Sequence, residues 1–91
     1  MAGLFAAFNT ITAASADPQV MPLIDPAFLN DPDDVARLVR GFKVMRHLLQ
    51  QPALARHGGV ESKASAGAQS DAQIEQFVRN HADTIYHPVG T

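Results

Sequence analysis

Prolines recur at positions 18, 22, 26 and 32, and this spacing restricts the first third of the chain more than any other feature. Each ring fixes its own φ near about −65°, removes an amide donor and disfavours the helical region for the residue before it. No helix can run through residues 17–32, which are therefore expected to be largely extended. Within them Leu23 and Ile24 read as a short strand or edge contact, and Asp25-Pro26 as a turn leading into Ala27-Phe28-Leu29. Upstream, Asn-Thr-Ile-Thr-Ala-Ala at residues 9–14 mixes β-branched residues with alternation and reads as a short strand before the turn-forming Ser15-Ala16-Asp17-Pro18. An isolated strand pair is marginal in water, so partners for these strands are expected outside the chain. Residues 1–8 carry Phe5 and Phe8 without a clear period, which is compatible with a helical turn, a frayed end or a non-native start.

After Pro32 the pattern changes. Asp31 is placed to cap a helix that opens on Pro32, and Asp33 and Asp34 set negative charge at the positive end of its dipole. Val35, Leu38, Val39, Phe42, Met45 and Leu49 follow at three- and four-residue steps, with Arg37, Arg40, Lys43 and Arg46 off that stripe. An amphipathic helix over residues 33–49 is predicted. Pro52 stops it, and Pro52-Ala53-Leu54-Ala55 is read as one more turn. Residues 57–69 are small and polar without period, and read as a flexible surface loop. Ser70 and Gln73 fit a capping box for a second helix from Asp71, with Ile74, Phe77, Val78, His81 and Ile85 at helical spacing. Pro88 keeps that helix from running through His87, so the chain ends in a loop.

Ninety-one residues suit one domain with a small core, burying about 60 to 65% of the unfolded surface. Charged residues make up 18% of the chain, below the usual ~25%, which suggests that part of the surface meets other polypeptide. A net charge of −2 with no Lys/Arg cluster argues against nucleic acid as a partner. The absence of cysteine excludes disulfides and thiolate metal sites. The apolar start lacks the positive charge of a secretory leader and is shorter than the ~20 residues of a membrane span, so no export and no membrane span are expected, and the cytoplasm is the expected compartment.

Chemistry rests on few residues. The four histidines, His47, His57, His81 and His87, match no metal-ligand spacing, so no metal site is expected. His47 and His57 read as solvated, and His81 as a hydrogen-bonded histidine on the inner face of the second helix. His87 differs, since Pro88 restricts the backbone beside it and Val89-Gly90-Thr91 forms a tight loop, the rigid placement that acid–base catalysis needs. Asp31, Asp33 and Asp34 are explained by their place in a first helical turn. Neither a G-x-G-x-x-G sequence, a P-loop nor a nucleophile elbow is present.

Four segments, in order, resemble the C-terminal, substrate-side region of the glucose-methanol-choline (GMC) oxidoreductases, most closely the choline-dehydrogenase-like bacterial members. Ser15-Ala16-Asp17-Pro18, followed by Pro22-Leu23-Ile24-Asp25-Pro26 and Phe28-Leu29, is similar to the family's S-A-D-P and P-x-I-D-P-x-[YF]-L run. Asp34, Leu38, Gly41 and Arg46 match the helix after it, and Ser70-Asp71 with Ile74, Phe77 and Val78 resembles the next one. His87-Pro88-Val89-Gly90-Thr91 resembles the H-P-x-G-T motif that carries the family's first active-site histidine.

The resemblance implies an α+β fold, here mainly two amphipathic helices with one or two short strands, and a flavin-dependent oxidation of an alcohol CH–OH group. It assigns His87 as the catalytic residue beside the flavin, and His87, Pro88 and Val89 as cofactor contacts. FAD is the implied cofactor, bound in the family by a separate Rossmann-like domain, so tight binding to this chain is not expected. Residues 9–91 are expected to be part of the GMC C-terminal domain, truncated after the His-Pro-Val-Gly-Thr motif. Residues 1–8 form an atypical lead, and Ala66-Gly67 stands where Pro-Gly is common. The expected partners are an FAD-binding domain and a small alcohol. The alternative expectation is a non-catalytic helical module that self-associates through Leu38, Phe42, Phe77 and their neighbours.

Overall fold

A computed structural model describes residues 10–86, and among them the fold is α+β, with four helices and one two-stranded sheet. These described residues form two compact units, one made of those up to Asp34 together with residues 84–86, the other of Val35–Asp83.

In the first unit β1 (Thr10–Thr12) pairs antiparallel with β2 (Leu23–Asp25), in the register Thr10 to Asp25, Ile11 to Ile24 and Thr12 to Leu23. The strands are thus each other's partners, which corrects the expectation that their partners lie outside the chain. The turn between them makes this possible. Pro18 sits at the second position of a turn in which Asp17 O accepts from Val20 N at 3.1 Å, the place its fixed φ suits. Ser15 Oγ and Asp17 Oδ1 accept from the amides of Asp17 and Gln19 at 3.1 and 2.9 Å. Pro22 and Pro26 bracket β2 and confine it to three residues, so neither proline takes a ladder position.

Beyond β2, Asp25 Oδ1 accepts from Ala27 N at 2.9 Å, and Ala27 O accepts from Asn30 N at 3.2 Å. Ala27 and Leu29 take left-handed backbones there, at φ 53° and 61°. Asp31 Oδ1 then accepts from Asp33 N at 2.8 Å, the side-chain bond expected of a helix cap. This opens α1 (Pro32–Leu49). Asp33 and Asp34 lie in its first turn and Arg46 in its last, each charge complementing the helix dipole.

The second unit holds most of α1, then α2 (Pro52–Ala55), α3 (Lys63–Ala66) and α4 (Asp71–His81). Its buried core is small: Val35 and Val39 from α1, Ala68 from the connection, and Ile74 and Val78 from α4. Phe42 and Phe77 meet edge to face at 5.5 Å, and Lys43 forms an ion pair with Asp71. The outer end of the apolar stripe stays uncovered, with Met45 55% and Leu49 57% exposed. Helix length accounts for this, since eleven residues of α4 extend about 16 Å against about 27 Å for the eighteen of α1.

Two expectations are corrected here. Residues 57–69 are not a featureless loop. They contain α3, started by Ser62 O accepting from Ser65 N and Ala66 N at 3.2 and 2.9 Å. The second helix also stops earlier than its spacing suggested. Ser70 Oγ accepts from Gln73 N at 3.2 Å, and Gln73 Oε1 accepts from Ser70 N at 3.1 Å, completing the capping box. At the other end Ala82 turns extended (φ −64°, ψ 136°), so Ile85 leaves the helical face and is 78% exposed. Among the described residues, no helix is long and apolar enough to cross a membrane.

Candidate functional site

His87, Pro88 and Val89 lie outside the described residues. The segment that delivers the chain to them is Thr84–Tyr86, and its backbone is unusual. Tyr86 has φ 66°, in the left-handed region, which costs a residue with a Cβ about 1–2 kcal/mol. The Thr84 hydroxyl accepts a hydrogen bond from Tyr86 N at 3.1 Å, closing a turn around Ile85. The Tyr86 ring is not packed, being 83% exposed as a residue.

The other histidines fall elsewhere. His81, at the end of α4, stacks on Phe77 with ring centroids 4.1 Å apart and planes at 19°. Its Nδ1 lies 2.8 Å from Phe77 O. A carbonyl only accepts, so Nδ1 carries the hydrogen, and in the neutral ring Nε2 is the acceptor. The structure thus gives His81 the hydrogen bond expected from its position, although the residue itself is exposed. His47 is exposed on α1, with the Gln51 amide nitrogen 3.1 Å from its Nε2, and His57 is exposed after α2. Gly58 follows at φ 76°, a left-handed backbone that glycine takes at no steric cost, and its N donates to Ala55 O at 3.0 Å.

In the second unit α1 and α4 enclose an open cleft of about 350 Å³, walled by Leu38, Phe42 and Met45 on one side and Phe77, Val78 and His81 on the other. Beside it sits the residue that sequence periodicity missed. Arg46 falls off the apolar stripe, yet its guanidinium carbon lies 4.6 Å from the centre of the Phe42 ring. Its Nε and Nη2 donate to Glu61 at 3.1 and 2.8 Å, and Nη1 and Nη2 donate to Ala68 O and Ser65 O at 2.8 and 3.0 Å. One fork therefore ties α1 to the segment around α3. The Arg46 and Ser65 hydrogen bonds hold the Glu61 carboxyl below the ordinary glutamate range. The matching of Arg46 to the family's helix was the only local signal for it, since these partners lie 15 to 22 residues away.

A dinucleotide asks for backbone amides at a glycine-rich turn opening a helix, where the pyrophosphate binds. The described residues supply no such turn, and the cleft wall is apolar apart from His81. They do not fit the phosphates of FAD.

A family profile for the C-terminal part of proteins described as GMC oxidoreductase matches residues 6–91. The chain belongs to the GMC oxidoreductase family. Among its GMC relatives, an alcohol dehydrogenase [acceptor] of Pseudomonas putida is 42% identical over 77 residues, covering 85% of this chain and 14% of the relative. Choline oxidase of Arthrobacter globiformis is 34% identical over 85 residues, covering 91% of the chain and 16% of the oxidase. An oxygen-dependent choline dehydrogenase of Klebsiella pneumoniae is 36% identical over 77 residues, covering 85% and 14%. The chain thus spans 14 to 16% of the length of these GMC relatives. No solved structure matches it. GMC oxidoreductases are generally flavin-dependent.

Proposed function

We propose that this chain is a substrate-side segment of an FAD-dependent oxidoreductase acting on the CH–OH group of an alcohol, of the choline-dehydrogenase-like kind, with His87 as its catalytic residue. The observation that carries the reading is the 42% identity to an alcohol dehydrogenase over 77 residues, together with the His87-Pro88-Val89-Gly90-Thr91 motif. In this reading residues 9–91 belong to the family's C-terminal domain, and residues 1–8 lead into it. A flavin would be held by an FAD-binding domain outside these residues and would supply the capacity to accept a hydride.

His87 takes the proton of the substrate hydroxyl on an imidazole nitrogen. Imidazole suits this task because its ordinary pKa lies near neutral pH, so the ring is a competent base without a large shift. Pro88 and Val89 are assigned as neighbours of the cofactor, and the chain alone is assigned no turnover.

The uncovered end of α1, where Val44, Met45, Leu48 and Leu49 are all at least half exposed, also supports a second reading. A helical module that self-associates would bury this face against its own copy. The family membership favours the first reading, in which other polypeptide of the same oxidoreductase covers it.

The test is a segment exchange. The matched segment of the Pseudomonas putida relative is replaced by this one, and alcohol-dependent reduction of an electron-accepting dye is measured. Turnover in the exchanged protein, abolished by His87→Asn, is the expected result. A flavin-loaded exchange protein whose turnover ignores His87→Asn contradicts the assignment, and a concentration-dependent dimer of the free chain in gel filtration supports the second reading.

A further inference from the structure

We propose that α1 carries a second packing face, formed by Leu38, Gly41, Met45 and Leu48, which receives a helix from the part of the oxidoreductase outside these residues. A large apolar side chain of that helix seats over Gly41. This rests on the reading of the chain as a segment of a longer oxidoreductase, and is independent of the role given to His87.

Two apolar stripes run along α1. Val35 and Val39 on one of them are buried in the core of the second unit. On the other, Leu38, Gly41 and Met45 line the open cleft, and Leu48 continues the row half exposed. Steps of three, four and three residues keep these four in line over about 15 Å of helix. Gly41 is the informative member. It stands in the interior of an 18-residue helix, where glycine is less stable than alanine. Its φ is not positive, and a Cβ at this position would meet no atom within 4 Å. Neither its backbone nor the space around it within the second unit therefore calls for glycine.

Between Leu38 and Met45 a glycine leaves a notch, where a neighbouring element can approach the α1 backbone closely. A row at this spacing is what one helix presents to another. The row is apolar throughout, so its occupant presents an apolar face. That occupant is drawn from the same polypeptide, because the chain spans 14 to 16% of the length of its GMC relatives, which leaves most of such an enzyme to cover the row. Phe77 and His81 wall the cleft from α4 and bound the incoming helix on that side.

Gly41→Leu gives opposite signs in the two settings. In the 91-residue chain it is expected to raise the thermal midpoint by about 3–8 °C, because leucine is the better helix former and the space is open. In the flavin-loaded exchange protein it fills the notch and is expected to lower the midpoint by about 2–4 °C or more. A second measurement needs no substitution and stands even where Gly41→Leu fails to fold. Oxidation of Met45 to its sulfoxide by hydrogen peroxide, followed by mass spectrometry, is expected to be at least about tenfold slower in the exchange protein than in the 91-residue chain. Equal oxidation rates in the two, or a Gly41→Leu that stabilises both, overturn the packing face alone. Oxidation in the 91-residue chain that slows as its concentration rises makes a second copy the occupant and overturns the proposed helix. An exchange protein that takes up no flavin overturns the segment reading, and the packing face with it.

Discussion

Arg46 and Glu61 are joined side by side: Nε and Nη2 of the arginine approach the two carboxylate oxygens at 3.1 and 2.8 Å across 15 residues of sequence. The same guanidinium caps the carbonyls of Ser65 and Ala68. A segment whose composition reads as a free loop is thus tethered to α1 at four oxygens.

Arg46→Lys tests this tether. An ammonium keeps the charge and loses the planar fork, leaving carbonyls beside the buried Ala68 without donors. A loss of about 1–3 kcal/mol in urea unfolding is expected. Faster tryptic cleavage at Lys63 should accompany it, because the segment opens locally before the whole unit does.

The pH dependence has a definite sign. Arg46 lowers the Glu61 pKa from its ordinary 4.5 in the folded chain. The contribution of this pair is therefore complete above pH 4.5, and it is lost as pH falls through the depressed folded-state value. Glu61→Gln should lower the midpoint of thermal unfolding by a constant amount above pH 4.5. Below that pH the gap to the wild-type chain should narrow.

Ser70→Ala removes the side-chain acceptor of the capping box at the start of α4. A cost of about 1 kcal/mol is expected, measured as a shift of the urea midpoint. Gln73→Ala added to it should cost less than in the wild-type background, since the two side chains satisfy the same helix end.

Ile74, at 1% exposed, is the most buried apolar side chain of the second unit, while Val60 is 92% exposed. Ile74→Ala should cost about 2–4 kcal/mol. Val60→Ala should stay within about 0.5 kcal/mol, so the pair calibrates the core by one unfolding assay.

Local rules made much of this architecture legible. Proline spacing placed β2, the Asp31 cap and the period from Val35 onward placed α1, and the Ser70–Gln73 pair placed the start of α4. What escaped depends on residues far apart in sequence. The pairing of β1 with β2 needed the turn at Asp17, α3 needed the hold of Arg46, and the early end of α4 depended on Ala82 turning extended. Periodicity sorts residues by helix face, so it placed Arg46 among solvated cations, although its partners lie beyond the helix. For His87, which lies outside the described residues, the sequence offers a motif alone, and a single Tyr-His-Pro sequence carries little weight without the ordered segments that precede it.

The rate of flavin reduction by alcohol, followed without oxygen in a stopped-flow instrument, tests the role of His87 most directly because it isolates the chemical step from reoxidation. In the exchange protein, His87→Ala is expected to slow that step by about 100- to 10,000-fold at neutral pH, with flavin content unchanged. An unchanged rate of flavin bleaching in His87→Ala would contradict the account.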